Sequence, residues 1–153
     1  MILALDCATK TGWALIEKGI IIESGVQDFS KKRGESNGGM FLRFRKWLSD
    51  MFDDMHPSCG LVVYEQAHHR GGAATEICVN LTGRVQEMCA DRNIEFAAVH
   101  TATLKKHATG KGKADKEEMI KKARYILNRE PFDDNEADAV LMAIWAYEEY
   151  GID

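Results

Sequence analysis

Ile2-Leu-Ala-Leu-Asp6 and Leu61-Val-Val-Tyr-Glu65 are short runs that are apolar at nearly every position, each closed by a carboxylate. Continuous apolarity, without the alternation of a half-exposed strand, predicts strands covered on both faces. If the two lie parallel and adjacent, both acids leave the same end of one sheet. Between them, Thr11 to Glu17 and Ile20 to Phe29 are β-rich runs around Lys18-Gly19, which predicts a hairpin directly after the first strand. Glu95 to Val99 reads as a further short strand.

The remaining apolar positions follow helical spacing. From Met40, the residues Phe44, Trp47, Leu48, Met51, Phe52 and Met55 define a helix that ends before Pro57. Ile77, Leu81, Val85 and Met88 define a second. Thr101 to His107 reads as a short helix. Asp115 predicts an N-cap, with Glu118 in the capping-box position, for a helix carrying Ile120, Ala123, Ile126 and Leu127. Pro131 and Asp133-Asp134 break the chain. The last helix, from about Asn135 to Tyr150, is apolar on most sides between Ala137 and Ala146, and so should pack hard on the sheet. Ser30 to Gly39, Gln66 to Gly72 and Thr109 to Ala114 are polar, glycine-containing loops, the first expected to be mobile. This order predicts one α/β domain over residues 1–153, with a mixed five-stranded sheet and helices on both faces.

Composition narrows the setting. A chain of 153 residues, 45% hydrophobic, suits one core of ordinary size. No run of about 18 apolar residues is present, so no membrane span is expected. Nor does a basic, then apolar, leader open the chain, and the expectation is a cytoplasmic protein. Cys7, Cys59, Cys78 and Cys89 share no C-x-x-C spacing; they read as reduced thiols, and a zinc site is not expected. The net charge of −4 argues mildly against a polyanion partner. Its distribution argues for one: Lys105, Lys106, Lys111, Lys113 and Lys116 crowd a stretch whose one acid is Asp115, whereas Glu130 to Asp153 holds acids and no Lys or Arg. A metal site beside a phosphate-binding surface accounts for that separation; so do two solvated faces.

A carboxylate next to a core is costly unless something charged or hydrogen-bonding meets it. For Asp6 the candidates are a turn cap and a metal ligand. Hydrolysis of a phosphodiester with two divalent cations needs several carboxylates converging from different elements, and Mg²⁺ prefers such hard oxygen donors. Asp6 and Glu65 supply two. Asp134-Asn135-Glu136-Ala-Asp138 is the dense source of a third. Asn135 and Asp138 share a helix face, although helix capping explains that pair equally well. In Gly110-Lys-Gly-Lys113 the glycines let backbone approach a phosphate while Lys111 and Lys113 neutralise it; a solvated linker is the alternative.

Taken together, Leu5-Asp6, Thr9-Lys-Thr-Gly-Trp-Ala14, Tyr64-Glu-Gln66, Gly110-Lys-Gly-Lys-Ala-Asp-Lys116 and Asn135-Glu-Ala-Asp-Ala139 resemble the RuvC-type Holliday junction resolvases, their small bacteriophage members most of all. Each motif alone is weak; in this order, over nearly the whole chain, they are fairly specific. The resemblance implies an RNase H-like fold, a homodimer, and cleavage of four-way DNA junctions dependent on Mg²⁺ or Mn²⁺, two ions per active site. By position, Asp6, Glu65 and Asp138 match three acidic ligands of the family. Asn135 stands where the fourth, an Asp or His, is usual; Asp134 or Glu136 are alternatives. Lys105, Lys111, Lys113, Lys116 and Arg70 are expected to meet DNA. His68 and His69 stand where other members carry aromatic residues that wedge into the junction, although two exposed loop histidines account for them as well, and Cys7-Ala8 replaces Pro-Gly. A nuclease for other branched DNA or RNA–DNA hybrids, or a junction-binding protein of weak catalysis, is the competing reading. An actin-like nucleotide-binding domain is discounted, since Cys7-Ala8-Thr9 lacks the phosphate-cradling glycine.

Overall fold

The computed structural model describes residues 1–67 and 71–152. Among them, five strands form one sheet: β1 (Ile2–Asp6), β2 (Lys10–Glu17), β3 (Ile20–Asp28), β4 (Leu61–Glu65) and β5 (Glu95–Val99), in the order β3-β2-β1-β4-β5. β1 pairs parallel with β4, and β4 with β5, while β2 runs antiparallel to both of its neighbours, β1 and β3. The expected mixed sheet is therefore present, with the two continuously apolar strands at its centre.

Helices α1 (Asn37–Met55) and α2 (Ala73–Asp91) cover one face; α3 (Thr101–Thr109), α4 (Lys116–Leu127) and α5 (Asp134–Tyr150) cover the other. Side chains alternate across a strand. Leu3 and Leu5 of β1 and Val62 and Tyr64 of β4 thus enter the α1–α2 layer. Ile2 and Ala4, with Leu61 and Val63, enter the α5 layer. The same period aims Asp6 and Glu65 toward α5, and the parallel register that pairs Leu5 with Tyr64 sets the two acids side by side.

The turn after Asp6 is closed from within. The buried Thr11 hydroxyl donates to the Ala8 carbonyl at 2.7 Å and accepts from the Ala8 N–H at 3.4 Å. α1 starts earlier than its apolar spacing suggests, because Ser36 caps it by accepting from the Gly39 N–H at 3.1 Å. The preceding loop, expected to be mobile, is tied down by Arg43, whose guanidinium donates to the Phe29 and Ser30 carbonyls and pairs with Glu35 at 2.5 Å. In α2, Leu81, Val85 and Met88 are buried and Ile77 packs beside them. An apolar stripe of this spacing could equally face a second copy of the chain; here it is committed to the protomer's own core. α4 carries the expected capping box between Asp115 and Glu118.

α5 is capped by Asp133, which accepts from the Glu136 N–H at 2.9 Å. The capping reading of Asn135 is thereby corrected: Asn135 lies inside the first turn. The buried face of α5 is rich in small residues, Ala137, Ala139, Ala143 and Ala146, and the helix comes close to the sheet. The closest approach is at Gly12, the β2 partner of Asp6, where a Cβ would lie 1.9 Å from the Asn135 carbonyl oxygen. No rotamer relieves a clash with backbone. Gly12→Ala should therefore push the start of α5 off the sheet, destabilising the fold by about 3 kcal/mol or more, at or above the top of the usual overpacking range. Urea unfolding of the variant against the parent protein measures it; a loss below about 1 kcal/mol would mean that α5 shifts freely.

Candidate metal centre

Three elements meet at the end of the sheet where β1 and β4 finish. Asp6 ends β1, Glu65 ends β4 and Asp138 sits one turn inside α5, and each offers a carboxylate oxygen within 4.8 Å of the others. All three are half-buried. Burial, then Glu65 and Asp138, then Asp134 and Asp133, push the Asp6 carboxyl well above its ordinary range. Burial, with Glu65 and Asp134, pushes Asp138 up to about 7, against the pull of Lys105 and Lys116. Three acids so placed repel one another unless a proton or a cation intervenes. Hard oxygen donors converging from separate elements fit Mg²⁺ or Mn²⁺.

The other candidates divide. Glu136 is fully buried and turned away to a different task. It accepts from Ser24 Oγ at 2.7 Å, from Arg129 Nη2 at 2.6 Å and from the Phe132 N–H at 2.5 Å. Burial alone would raise its pKa, but these bonds together hold it below the usual carboxylate range. Glu136 therefore pins the first turn of α5 to β3 and to the α4–α5 connection, and does not stand in for a fourth ligand. Asp134 pairs with Lys116 at 3.2 Å and contributes to the field on Asp6 and Asp138. Asn135 donates its amide to the Lys10 carbonyl at 2.7 Å, which leaves only its Oδ1 to face a cation.

Lys105 and Lys116 stand close enough to act on Asp138. Lys111 and Lys113 lie on the loop between α3 and α4, with Lys111 3.5 Å from Glu118. His68, His69 and Arg70 lie outside the described residues. One participant has no sequence signal: the Thr101 hydroxyl, at the start of α3, donates to Glu65 Oε1. A threonine opening a helix is ordinary, and its partner is distant in sequence.

A five-stranded mixed sheet with this helix arrangement is the RNase H-like fold. No protein-family model matches the chain. Over 148 residues it is 28% identical to the crossover junction endodeoxyribonuclease RuvC of Prochlorococcus marinus subsp. pastoris, covering 93% of this chain and 92% of that one. The structure of Thermus thermophilus RuvC superposes with a TM-score of 0.76 at 20% identity, covering 99% of this chain and 96% of that one. That of T. thermophilus RuvC in complex with its Holliday junction substrate gives 0.78 at 18% identity, with the same coverage. The chain is RuvC-like in fold and in sequence.

The crowded acids have a consequence for stability. A carboxyl whose folded pKa lies above its unfolded value holds its proton more tightly in the native state, so stability falls as pH rises from the unfolded value through the folded one. For Asp138 that window runs from about 4 to about 7. Chelated protein should accordingly lose on the order of 1–3 kcal/mol between pH 5 and pH 8. Asp138→Asn should flatten the profile, and added Mg²⁺ should restore the parent protein at pH 8. Urea unfolding at the two pH values reads the effect; equal stability at both would show that the acids do not strain the fold.

Proposed function

We propose that this chain is a metal-dependent endonuclease that cleaves four-way DNA junctions by phosphodiester hydrolysis, and that it works as a homodimer. The observation that carries the reading is the convergence of Asp6, Glu65 and Asp138, from three separate elements, to within 4.8 Å of one another. The RuvC relatives, one of them seen with a Holliday junction, support the choice of substrate. A junction presents two strands related by a two-fold axis, so two copies of one site suit it.

Asp6, Glu65 and Asp138 would hold two Mg²⁺ or Mn²⁺ ions, with Asn135 as an uncharged fourth donor through Oδ1. Bound there, the ions would supply an activated water and charge stabilisation at the scissile phosphate. The chain's own residues prepare the site. Thr101 fixes one oxygen of Glu65. Lys105 and Lys116 temper the negative field on Asp138, and with Lys111 and Lys113 they would draw the DNA backbone toward an acidic centre.

The test is cleavage of a synthetic four-way junction against matched duplex, fork and RNA–DNA hybrid, each with Mg²⁺ and with Mn²⁺. Junction cutting should dominate and be faster with Mn²⁺, which tolerates imperfect ligand geometry better. Asp6→Asn, Glu65→Gln and Asp138→Asn should each reduce cutting to background while junction binding survives. Near-parental cutting by any one variant would remove that residue from the site, and preference for the hybrid would replace the substrate.

Asn135→Asp should lower the Mg²⁺ concentration for half-maximal cutting. It should also cost about 1 kcal/mol of stability, because the Lys10 carbonyl loses its donor. Superimposable Mg²⁺ titrations of the two proteins would exclude Asn135 as a ligand and leave Asp134 as the fourth candidate.

A further inference from the structure

β3 ends at Asp28 beside Lys10, and Gly12 of β2 lies beside Asp6. The Phe29 N–H then donates to the Thr9 carbonyl at 2.7 Å. The chain therefore leaves β3 at the sheet end from which Asp6 and Glu65 project. It continues into Lys31, Lys32 and Arg33, three consecutive exposed cations. Each of them lacks an ion-pair partner among the described residues. Glu35, at the end of the same loop, is already paired with Arg43.

The loop backbone is fixed as well as charged. Arg43 holds the Phe29 and Ser30 carbonyls, Asp28 accepts from the Ser30 N–H at 2.8 Å, and the Glu35 carboxylate accepts from the Lys32 N–H at 3.2 Å. A loop that needed only to join β3 to α1 would not require this bracing. Fixed backbone lowers the ordering cost when the side chains engage a ligand. Position adds the rest. β3 is two inter-strand spacings from β1, roughly 10 Å. That is about three nucleotides along one strand at a rise of about 3.4 Å each. The lysine-rich loop leads from α3 into α4, whose Lys116 meets Asp134 at the start of α5.

We propose that Lys31, Lys32 and Arg33 form a second phosphate-binding surface, gripping the sugar–phosphate backbone of DNA on the β3 flank of the carboxylate cluster. Arg33 can take a phosphate bidentately, and the two lysines act as point charges. The inference rests on the nuclease reading above for its ligand, and assigns where a second stretch of that ligand lies.

The test is junction affinity as a function of salt, by fluorescence anisotropy in the absence of divalent ions, for the parent protein, for Lys31→Ala/Lys32→Ala/Arg33→Ala, and for Lys18→Asn. Lys18 lies in the β2–β3 turn at the far end of the sheet, and Asn accepts its positive φ. Junction cleavage by the parent protein with Mn²⁺ is measured alongside. The triple variant should bind more weakly and flatten the slope of log K against log salt by about 2–3 units, near one per lost phosphate contact, while Lys18→Asn leaves it unchanged. A triple-variant slope equal to that of a parent protein that cuts the junction would overturn this inference alone. A flattened slope in a protein that cuts no junction would overturn the nuclease reading and still support DNA contact by the loop. Equal flattening by Lys18→Asn and by the triple variant would reduce the effect to net charge and overturn the assignment.

Discussion

Mutual repulsion among three half-buried carboxylates is what the surrounding structure has to withstand. Each sits on an element that has little freedom to retreat. β1 and β4 are the central strands, buried on both faces, and α5 is clamped to the sheet through an alanine-rich side. Glu136 adds a lateral tie, because its bonds to Ser24, Arg129 and the Phe132 N–H fasten the same turn that presents Asn135 and Asp138. Apolar packing and the bonds of buried Glu136 thus hold in place a cluster that electrostatics alone would disperse.

Within α5 this separates neighbours of similar chemistry. Asp133 caps, Asp134 meets Lys116, Glu136 anchors and Asp138 joins the cluster. Helical geometry turns Glu136 away from both Asp134 and Asp138, whereas those two, four apart, share a side, and Asp134 adds to the field on Asp138. A dense acidic stretch seen in sequence is consequently a poor guide to how many of its members share one site.

The strands and the two acids ending them were legible, because continuous apolarity and a terminal carboxylate are local features. So was Asp138, through helical spacing and the resemblance. What escaped depends on partners far along the chain. Glu136 could stand as a ligand candidate only while Ser24 and Arg129 were not known to reach it. Thr101 gave no sign that it would meet Glu65. The Ile77–Met88 stripe looks the same in sequence whether it meets its own core or a second copy, and the fold decides for the core. The loop after β3, read as mobile from its glycines and polarity, is braced by Arg43 of α1, whose carbonyl partners lie more than ten residues back along the chain.

The contact between Gly12 and Asn135 works as a mechanical stop. Packed side chains yield by changing rotamer, but here main chain rests on main chain, and the gap has no compliant layer to take up movement. Asp138 lies three residues farther along the same rigid helix, about 4.5 Å of rise from that stop, so whatever tolerance the contact permits is passed on almost undiminished to its carboxylate. Since displacements near 1 Å at a reacting centre can lower rates about a hundredfold, the smallest side chain in the chain sets how finely an acid on another element is aimed.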